Sequence, residues 1–225
     1  AAVEEVCKKV NMPRPKIYMI PGETPNAFST GKGRRTASIA FTEGILKSIE
    51  PEELRGVIAH ELIHIKNGDA LVGSFAATFA ALFGLGMGHH ESMSKQTHTS
   101  GFREFVNTNT DRLRILIAPV AAYLIRILVS RSREYEADQY AATLSGNPLA
   151  MANAIRTMEK KKYIRPAPAS PLAAHLFTVN PLTEEWALRL FNTHPPMEKR
   201  IERLQSMAQR SAYAIDSTLH ILDRP

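Results

Sequence analysis

Two histidines four positions apart constrain the structure of the chain around them. His60 and His64 belong to the stretch H-E-L-I-H, and positions i and i+4 share one face of an α-helix. On a helix, each imidazole could direct one nitrogen at the same metal ion. Glu61 is rotated from His60 by about 100° and could instead reach a water molecule on the open side of the metal. This division of roles is typical of a hydrolytic zinc site.

Helix start and stop signals flank this motif. Pro51 suits the first turn of a helix, and the acidic residues after it favour a helix N-terminus. Asn67-Gly68 predicts the end of the same helix. An ordinary structural helix with two histidines is the alternative, because H-E-x-x-H also occurs by chance in unrelated chains.

A catalytic zinc site needs a third protein ligand. Cys7, the only cysteine, lies far away in an N-terminal amphipathic stretch and is interpreted as a small packed residue. Glu134 and Asp138 lie one helical turn apart in S-R-S-R-E-Y-E-A-D. Glu134 could bind zinc while Asp138 accepts a hydrogen bond from a histidine ligand. A charged surface helix is the alternative for this stretch.

Four motifs resemble those of the HtpX family of membrane zinc endopeptidases, which are relatives of the CAAX prenyl-protein proteases. They are P-N-A-F-S-T at 25–30, H-E-L-I-H-I-K-N-G-D at 60–69, S-R-S-R-E-Y-E-A-D at 130–138 and T-H-P-P-M-E-K-R-I at 193–201. The resemblance covers roughly residues 3 to 208. It implies one Zn²⁺ per chain in a gluzincin site, with the following residues: His60, His64 and Glu134 as ligands, Glu61 as general base, and Asp138 in contact with a histidine ligand.

The last of these motifs adds two candidates. The resemblance implies that His194 faces the metal and stabilises the oxyanion of the reaction, as a preorganised donor would. A helix-capping or solvated histidine is the alternative. Arg200 either orients a carboxylate near the site or faces solvent, and it is also a candidate substrate-binding residue.

Residues 70–129 are predicted to form an apolar helical hairpin inserted between the ligands. No Asp, Glu, Lys or Arg lies between Asp69 and Glu91, and the apolar run 71–85 approaches the ~20 residues of a transmembrane helix. A second apolar run covers 115–129 but contains a proline and an arginine. Two buried helices in a soluble domain are the alternative.

An even number of membrane crossings would keep the metal ligands together, because His60 and Glu134 must lie on the same side of the bilayer. We therefore expect an integral inner-membrane or plasma-membrane protein with its zinc domain on the cytoplasmic side. Basic residues lie on both sides of the predicted hairpin, so the positive-inside rule decides little.

The rest of the chain predicts a mainly α, α+β fold of the zincin type with a small N-terminal β-sheet. The predicted strands are 16–20, 27–30 and 36–41, and the predicted helices are 3–10, 42–49, 51–66, 147–162 and 196–209. The predicted metalloprotease domain covers 1–210, interrupted by 70–129, and 211–225 is a C-terminal tail outside the resemblance. Family members usually carry two further apolar spans upstream, so we expect this chain to lack an N-terminal anchor.

Zinc peptidases of this class bind extended substrates along an edge strand. The strand 36–41 is our candidate for that edge, and an ordinary strand in a small sheet is the alternative. The candidate substrate-binding residues are Asn26, Ser38, Ile39, Ala40 and Arg200.

The predicted function is a zinc-dependent endopeptidase that hydrolyses membrane or misfolded proteins in protein quality control, with the lipid bilayer as a further partner. A CAAX-type processing protease and a non-catalytic membrane scaffold or holdase are the alternatives. The net charge is +6, but the basic residues are scattered and no recognition motif accompanies them, so nucleic acid is not an expected partner.

Overall fold

The computed structural model describes residues 2–82, 131–162, 176–179 and 195–222. These residues form a mainly helical structure with a small three-stranded sheet. The strands are β1 (Lys16–Ile20), β2 (Ala27–Thr30) and β3 (Ser38–Thr42). The helices are α1 (Ala2–Val10), α2 (Glu43–Ser48), α3 (Pro51–Asn67), α4 (Asp69–Leu82), α5 (Arg131–Ser145), α6 (Pro148–Lys161) and α7 (Met197–Leu222).

The sheet has the strand order β1-β3-β2. β3 runs parallel to β1, with Ser38 opposite Lys16, and antiparallel to β2, with Phe41 opposite Ala27. The three predicted strands are confirmed, but the prediction that 36–41 forms an edge strand is wrong. Both backbone edges of β3 already pair with neighbouring strands, which leaves them no hydrogen-bonding groups for an extended substrate.

The helix that carries the histidines follows the predicted start and stop signals. At its N-terminus, the Glu50 backbone amide donates to the Glu53 carboxylate over 3.1 Å, and Pro51 occupies the first turn. At its C-terminus, Gly68 adopts a left-handed conformation with φ 84° and donates to the carbonyls of the last turn, a conformation that glycine adopts without steric cost.

α3 lies at the centre of the core, where it contacts α1, β2, α4, α5 and α6. It supplies Val57, Leu62 and Ile63, which are fully buried. Across from them, Met151 and Ile155 of α6 are also fully buried. Close packing on these side chains holds α3 rigidly, so the polar side chains of the same helix keep a fixed position.

The predicted helices before α4, and α6 after it, are confirmed with ends that differ by one residue at most. The last helix is longer than predicted, because it continues from 209 to Leu222. Residues 210–222 contain neither glycine nor proline, so no local signal stops the helix there. The predicted tail 211–225 therefore begins inside α7.

The predicted apolar hairpin is described only at its start. α4 begins directly after Gly68 and runs for 14 residues. Among the helices that the structure describes, none combines the length and the apolar character needed to span a bilayer. Residues 83–130, which include the second predicted run, lie outside the described residues.

Candidate metal centre

Two elements that are far apart in the sequence bring three ligand atoms together. His60 and His64 lie on α3, with their Nε2 atoms 3.0 Å apart. Glu134 lies on α5, with one carboxylate oxygen 3.8 Å from His60 Nε2 and the other 3.4 Å from His64 Nε2. The three residues form the group that could hold a metal ion, with all ligand atoms within 4.8 Å of one another.

The spacing of these atoms fits a tetrahedral zinc ion. Zinc bonds of about 2.0–2.1 Å to nitrogen and oxygen ligands separate neighbouring ligands by about 3.3 Å. The 3.0 Å between the two imidazole nitrogens and the 3.4 Å between His64 Nε2 and Glu134 Oε1 lie close to that value. Two histidines and one carboxylate are also a donor set that leaves a fourth position for water or substrate.

The electrostatics of the cluster favour a positive charge at this place. Burial alone lowers the pKa of His64, but the contact with Asp69 and the negative charges of Glu134 and Glu61 outweigh it and raise that pKa to about 9. The same carboxylates that stabilise a protonated imidazole would stabilise a bound cation.

His60 contacts Asp138, which forms a buried ion pair with Arg200. Its Nδ1 lies 3.0 Å from Asp138 Oδ1, although the two atoms do not form a well-aligned hydrogen bond. Arg200 donates to both carboxylate oxygens of Asp138, over 2.7 Å each. Burial raises the pKa of Asp138, but Arg200 and then His60 outweigh it and hold that pKa below its ordinary value. Asp138 therefore stays ionised.

Arg200 links this support to the rest of the site. Its side chain is fully buried, which excludes the solvent-facing alternative and leaves it no surface for a substrate. Nη1 donates to the carbonyl of Thr178 over 2.9 Å and lies 3.4 Å from a carboxylate oxygen of Glu134. One guanidinium group thus contacts α5 twice and the segment 176–179 once.

His64 has a support of the same kind on the other side. Its Nδ1 lies 3.0 Å from Asp69 Oδ2, and Arg133 donates to Asp69 Oδ1 over 2.5 Å. Asp69 was not among the predicted site residues. The available signal was its place in the motif 60–69, directly after the glycine that ends α3.

The two carboxylate oxygens of Glu61 have different surroundings. Its side chain is buried, with 1 % of the residue exposed. Oε1 lies 2.7 Å from the hydroxyl of Thr178, whereas Oε2 has no hydrogen-bond partner among the described residues. A buried carboxylate oxygen without a donor is unfavourable unless water or a ligand meets it. Thr178 was missed because no motif or spacing in the sequence marks it.

Asn26, predicted to bind substrate, has a different role in the structure. Its side-chain amide donates to the Val179 carbonyl over 2.6 Å, and its carbonyl oxygen accepts from the Val179 amide over 3.2 Å. Only 1 % of Asn26 is exposed. The side chain holds the segment 176–179 and offers no free group to a substrate.

The other predicted contacts divide into two groups. Ser38, Ile39 and Ala40 lie on the central strand β3, where Ile39 and Ala40 are buried. The strand position removes the basis for their predicted pairing with a substrate. His194 lies outside the described residues.

Comparison with known proteins identifies the family. The family model for Peptidase family M48 matches residues 1–208. The Protease HtpX homolog of Aquifex aeolicus is 43 % identical over 220 residues, covering 92 % of this chain and 70 % of that protein. The Protease HtpX homolog of Methanocaldococcus jannaschii is 41 % identical over 215 residues, covering 92 % and 74 %. The resemblance to the HtpX family is confirmed.

A solved structure shares the fold. The crystal structure of S. mikatae Ste24p aligns with a TM-score of 0.53 and 17 % identity, covering 90 % of this chain. This chain spans about half of that protein, 49 % of its length. The family match extends from the sheet through both ligand helices into α7, so the chain belongs to peptidase family M48 and is a metalloprotease.

Proposed function

We propose that this metalloprotease is a zinc-dependent endopeptidase in which Glu61 is the general base. The observation that carries the proposal is the asymmetric environment of the Glu61 carboxylate beside the ligand cluster. One oxygen contacts Thr178, and the other has no hydrogen-bond partner among the described residues. Zinc, when bound, would supply Lewis-acid polarisation of the attacking water and of the scissile carbonyl.

The residues of the chain have separate roles in this reaction. His60, His64 and Glu134 hold the ion. Glu61 removes a proton from water as the water oxygen bonds to the carbonyl carbon, and it later transfers that proton to the leaving nitrogen as the C–N bond breaks. We propose from the sequence motif that His194 donates a hydrogen bond to the oxyanion.

The proposed substrates are unfolded or membrane proteins, and the proposed location is the membrane, with the metal site on the cytoplasmic side. The name of the relatives, Protease HtpX homolog, supports a protease, and the apolar run 71–85 supports the membrane location. The substrates and the cytoplasmic side come from the resemblance of the sequence motifs to those of the HtpX family. The run has the composition of a membrane segment and directly follows the first two ligands in the sequence.

The general-base assignment is tested with the substitution Glu61→Gln. Glutamine keeps the size of the side chain but cannot take a proton, so casein cleavage by the zinc-loaded protein should fall by roughly 10²–10⁴ or more. Zinc content should remain that of the wild type. Glu136→Gln is the matched control, because Glu136 is exposed on α5 and its variant should cleave at the wild-type rate. Unchanged cleavage by the Glu61→Gln variant would contradict the assignment.

Substrate and location need their own measurements. Rates on unfolded casein and on a prenylated C-terminal peptide, measured side by side, separate quality control from CAAX-type processing. Membrane fractionation with an alkaline wash tests the location, and release of the protein into the soluble fraction would count against an integral membrane protein. Stoichiometric zinc without any cleavage would favour a scaffold or holdase.

A further inference from the structure

Thr178 contacts the proposed general base from a segment outside the helices. Its hydroxyl oxygen lies 2.7 Å from Glu61 Oε1 and 3.0 Å from the carbonyl oxygen of Ala27. A hydroxyl has one hydrogen to donate. A carboxylate is the stronger acceptor, and it is also the nearer of the two. The hydroxyl therefore donates to Glu61.

The backbone of Thr178 is held on both sides, which fixes the position of that hydroxyl. The Thr178 amide donates to the Ala27 carbonyl over 2.9 Å, in line with a β-bridge between Phe177 and Phe28. Its carbonyl accepts from Arg200 over 2.9 Å. Three separate elements, β2, α7 and the segment 176–179, thus meet at one threonine.

The residues on either side of Thr178 also pack against the sheet region. The side-chain amide group of Asn26 makes two hydrogen bonds to the backbone of Val179, and Val179 is fully buried. The Phe177 ring packs on the Phe28 ring with 4.8 Å between the centroids. The segment therefore cannot shift the hydroxyl without breaking core contacts.

We propose that Thr178 is a positioning residue for Glu61, an inference that rests on the proposed role of Glu61 as general base. The terminal torsion of a glutamate side chain is broad, so burial alone does not fix the plane of the carboxylate. A fixed donor on Oε1 selects one orientation and leaves Oε2 as the oxygen that takes the proton. A misplacement of about 1 Å in such a group can lower a rate by roughly 10².

The experiment separates the hydroxyl from the shape of the side chain. Thr178→Val keeps the branched shape and removes the donor, so kcat on a fluorogenic peptide should fall by roughly 10- to 100-fold. KM and the zinc dissociation constant should stay at their wild-type values, because Thr178 is 2 % exposed and its hydroxyl contacts Glu61 and the Ala27 carbonyl rather than a proposed metal ligand. Thr178→Ser, which restores the donor, should recover most of kcat. Thr143→Val is the control, since Thr143 is exposed on α5 and its hydroxyl donates to the Gln139 carbonyl of the same helix.

A double-mutant cycle with Glu61→Gln decides how Thr178 acts. If Thr178 works through Glu61, then Thr178→Val should lower kcat no further in the Glu61→Gln background. An equal loss in both backgrounds would overturn the proposal, because Thr178 would then act elsewhere. Wild-type kcat in Thr178→Val beside an inactive Glu61→Gln variant would also overturn it, while leaving the general base in place. An active Glu61→Gln variant would instead overturn the proposed function itself.

A second pair of variants tests the hydroxyl if the valine variant does not fold. Thr178→Ala and Thr178→Ser differ only by the hydroxyl oxygen, so their ratio of kcat isolates the donor if Thr178→Val fails to fold. Thermal unfolding midpoints and zinc content establish that each variant is folded. A serine variant with no higher kcat than the alanine variant would overturn the proposal.

Discussion

The two proposed histidine ligands have supports of the same chemistry in different surroundings. His60 faces Asp138, which Arg200 holds, and their side chains are 0 %, 4 % and 0 % exposed. His64 faces Asp69, which Arg133 holds, and their side chains are 12 %, 12 % and 43 % exposed. On both sides the Nδ1 atom of the histidine lies 3.0 Å from a carboxylate oxygen.

The same series of contacts, from histidine to carboxylate to arginine, is therefore expected to contribute different amounts to stability on the two sides, because burial differs. Removing one partner of a buried ion pair leaves an uncompensated charge and destabilises a protein by about 3–5 kcal/mol. An exposed pair contributes about 0–1 kcal/mol, because water and ions replace the lost partner. We therefore expect the contacts of Asp138 and Arg200 beside His60 to contribute strongly to the free energy of unfolding, and those of Asp69 and Arg133 beside His64 to contribute little.

The largest effect on stability should come from Arg200→Met. The substitution removes the partner of Asp138 in the core, and we expect the free energy of unfolding of the zinc-free protein to fall by about 3–5 kcal/mol. Urea denaturation measures this free energy of unfolding. Arg210→Met is the matched control, because Arg210 is exposed on the same helix and its loss should cost less than about 1 kcal/mol. Equal losses in the two variants would break the comparison.

Asp138→Asn should have the next largest effect, this time on the metal. Asparagine cannot supply the negative charge that faces His60 Nδ1, and loss of such a support typically weakens metal affinity by roughly 10- to 100-fold. Competition with a chelator measures the zinc dissociation constant. The variant should also lose stability, since the charge of Arg200 is left buried. Wild-type affinity would contradict the role of Asp138.

Asp69→Asn tests the same support on the less buried side. We expect zinc affinity to weaken by roughly tenfold, at the lower end of the range for such residues, because water can reach the site and replace part of the lost interaction. The free energy of unfolding should change less than in Asp138→Asn. A larger loss of stability in Asp69→Asn than in Asp138→Asn would reverse the comparison.

Arg133→Gln should have the smallest effect. Arg133 is the most exposed member of either chain of contacts, so we expect a loss of less than about 1 kcal/mol in stability. The zinc dissociation constant should change less than in Asp69→Asn. Raising the salt concentration should further reduce the difference in the free energy of unfolding between wild type and variant, because salt screens exposed charges. A loss that matches Arg200→Met would refute the contrast between the two sides.

The parts of the site that could be predicted are those that depend on local chain geometry. Pro51 and Gly68 mark the ends of α3, and the spacing of His60 and His64 places them on one face of any helix. Glu134 and Asp138 follow the same rule on α5. For His60 and His64, the helical period and the two helix ends were enough information. For Glu134 and Asp138, the resemblance to the HtpX family was also needed, because their spacing alone left a charged surface helix as the alternative.

The errors arose where neighbours in space decide the outcome. The pattern of residues 36–41 predicts a strand but carries no information about which strands lie beside it, so the central position of β3 was missed. The role of Asn26 was missed for the same reason, since its partner Val179 lies far along the chain. Asp69 lay within a noted motif, yet only the folded chain shows that its carboxylate turns back to His64.

The sequence by itself determined the helix of the histidines, the type of each ligand and the membership of a metallopeptidase family, because these depend on residue type and short spacing. Only the tertiary structure decided which carboxylate supports which histidine, which arginine is buried, and that Thr178 touches Glu61. Those contacts join α3, α5, α7 and the segment 176–179, and they exist only because the packed core brings distant parts of the chain to one place.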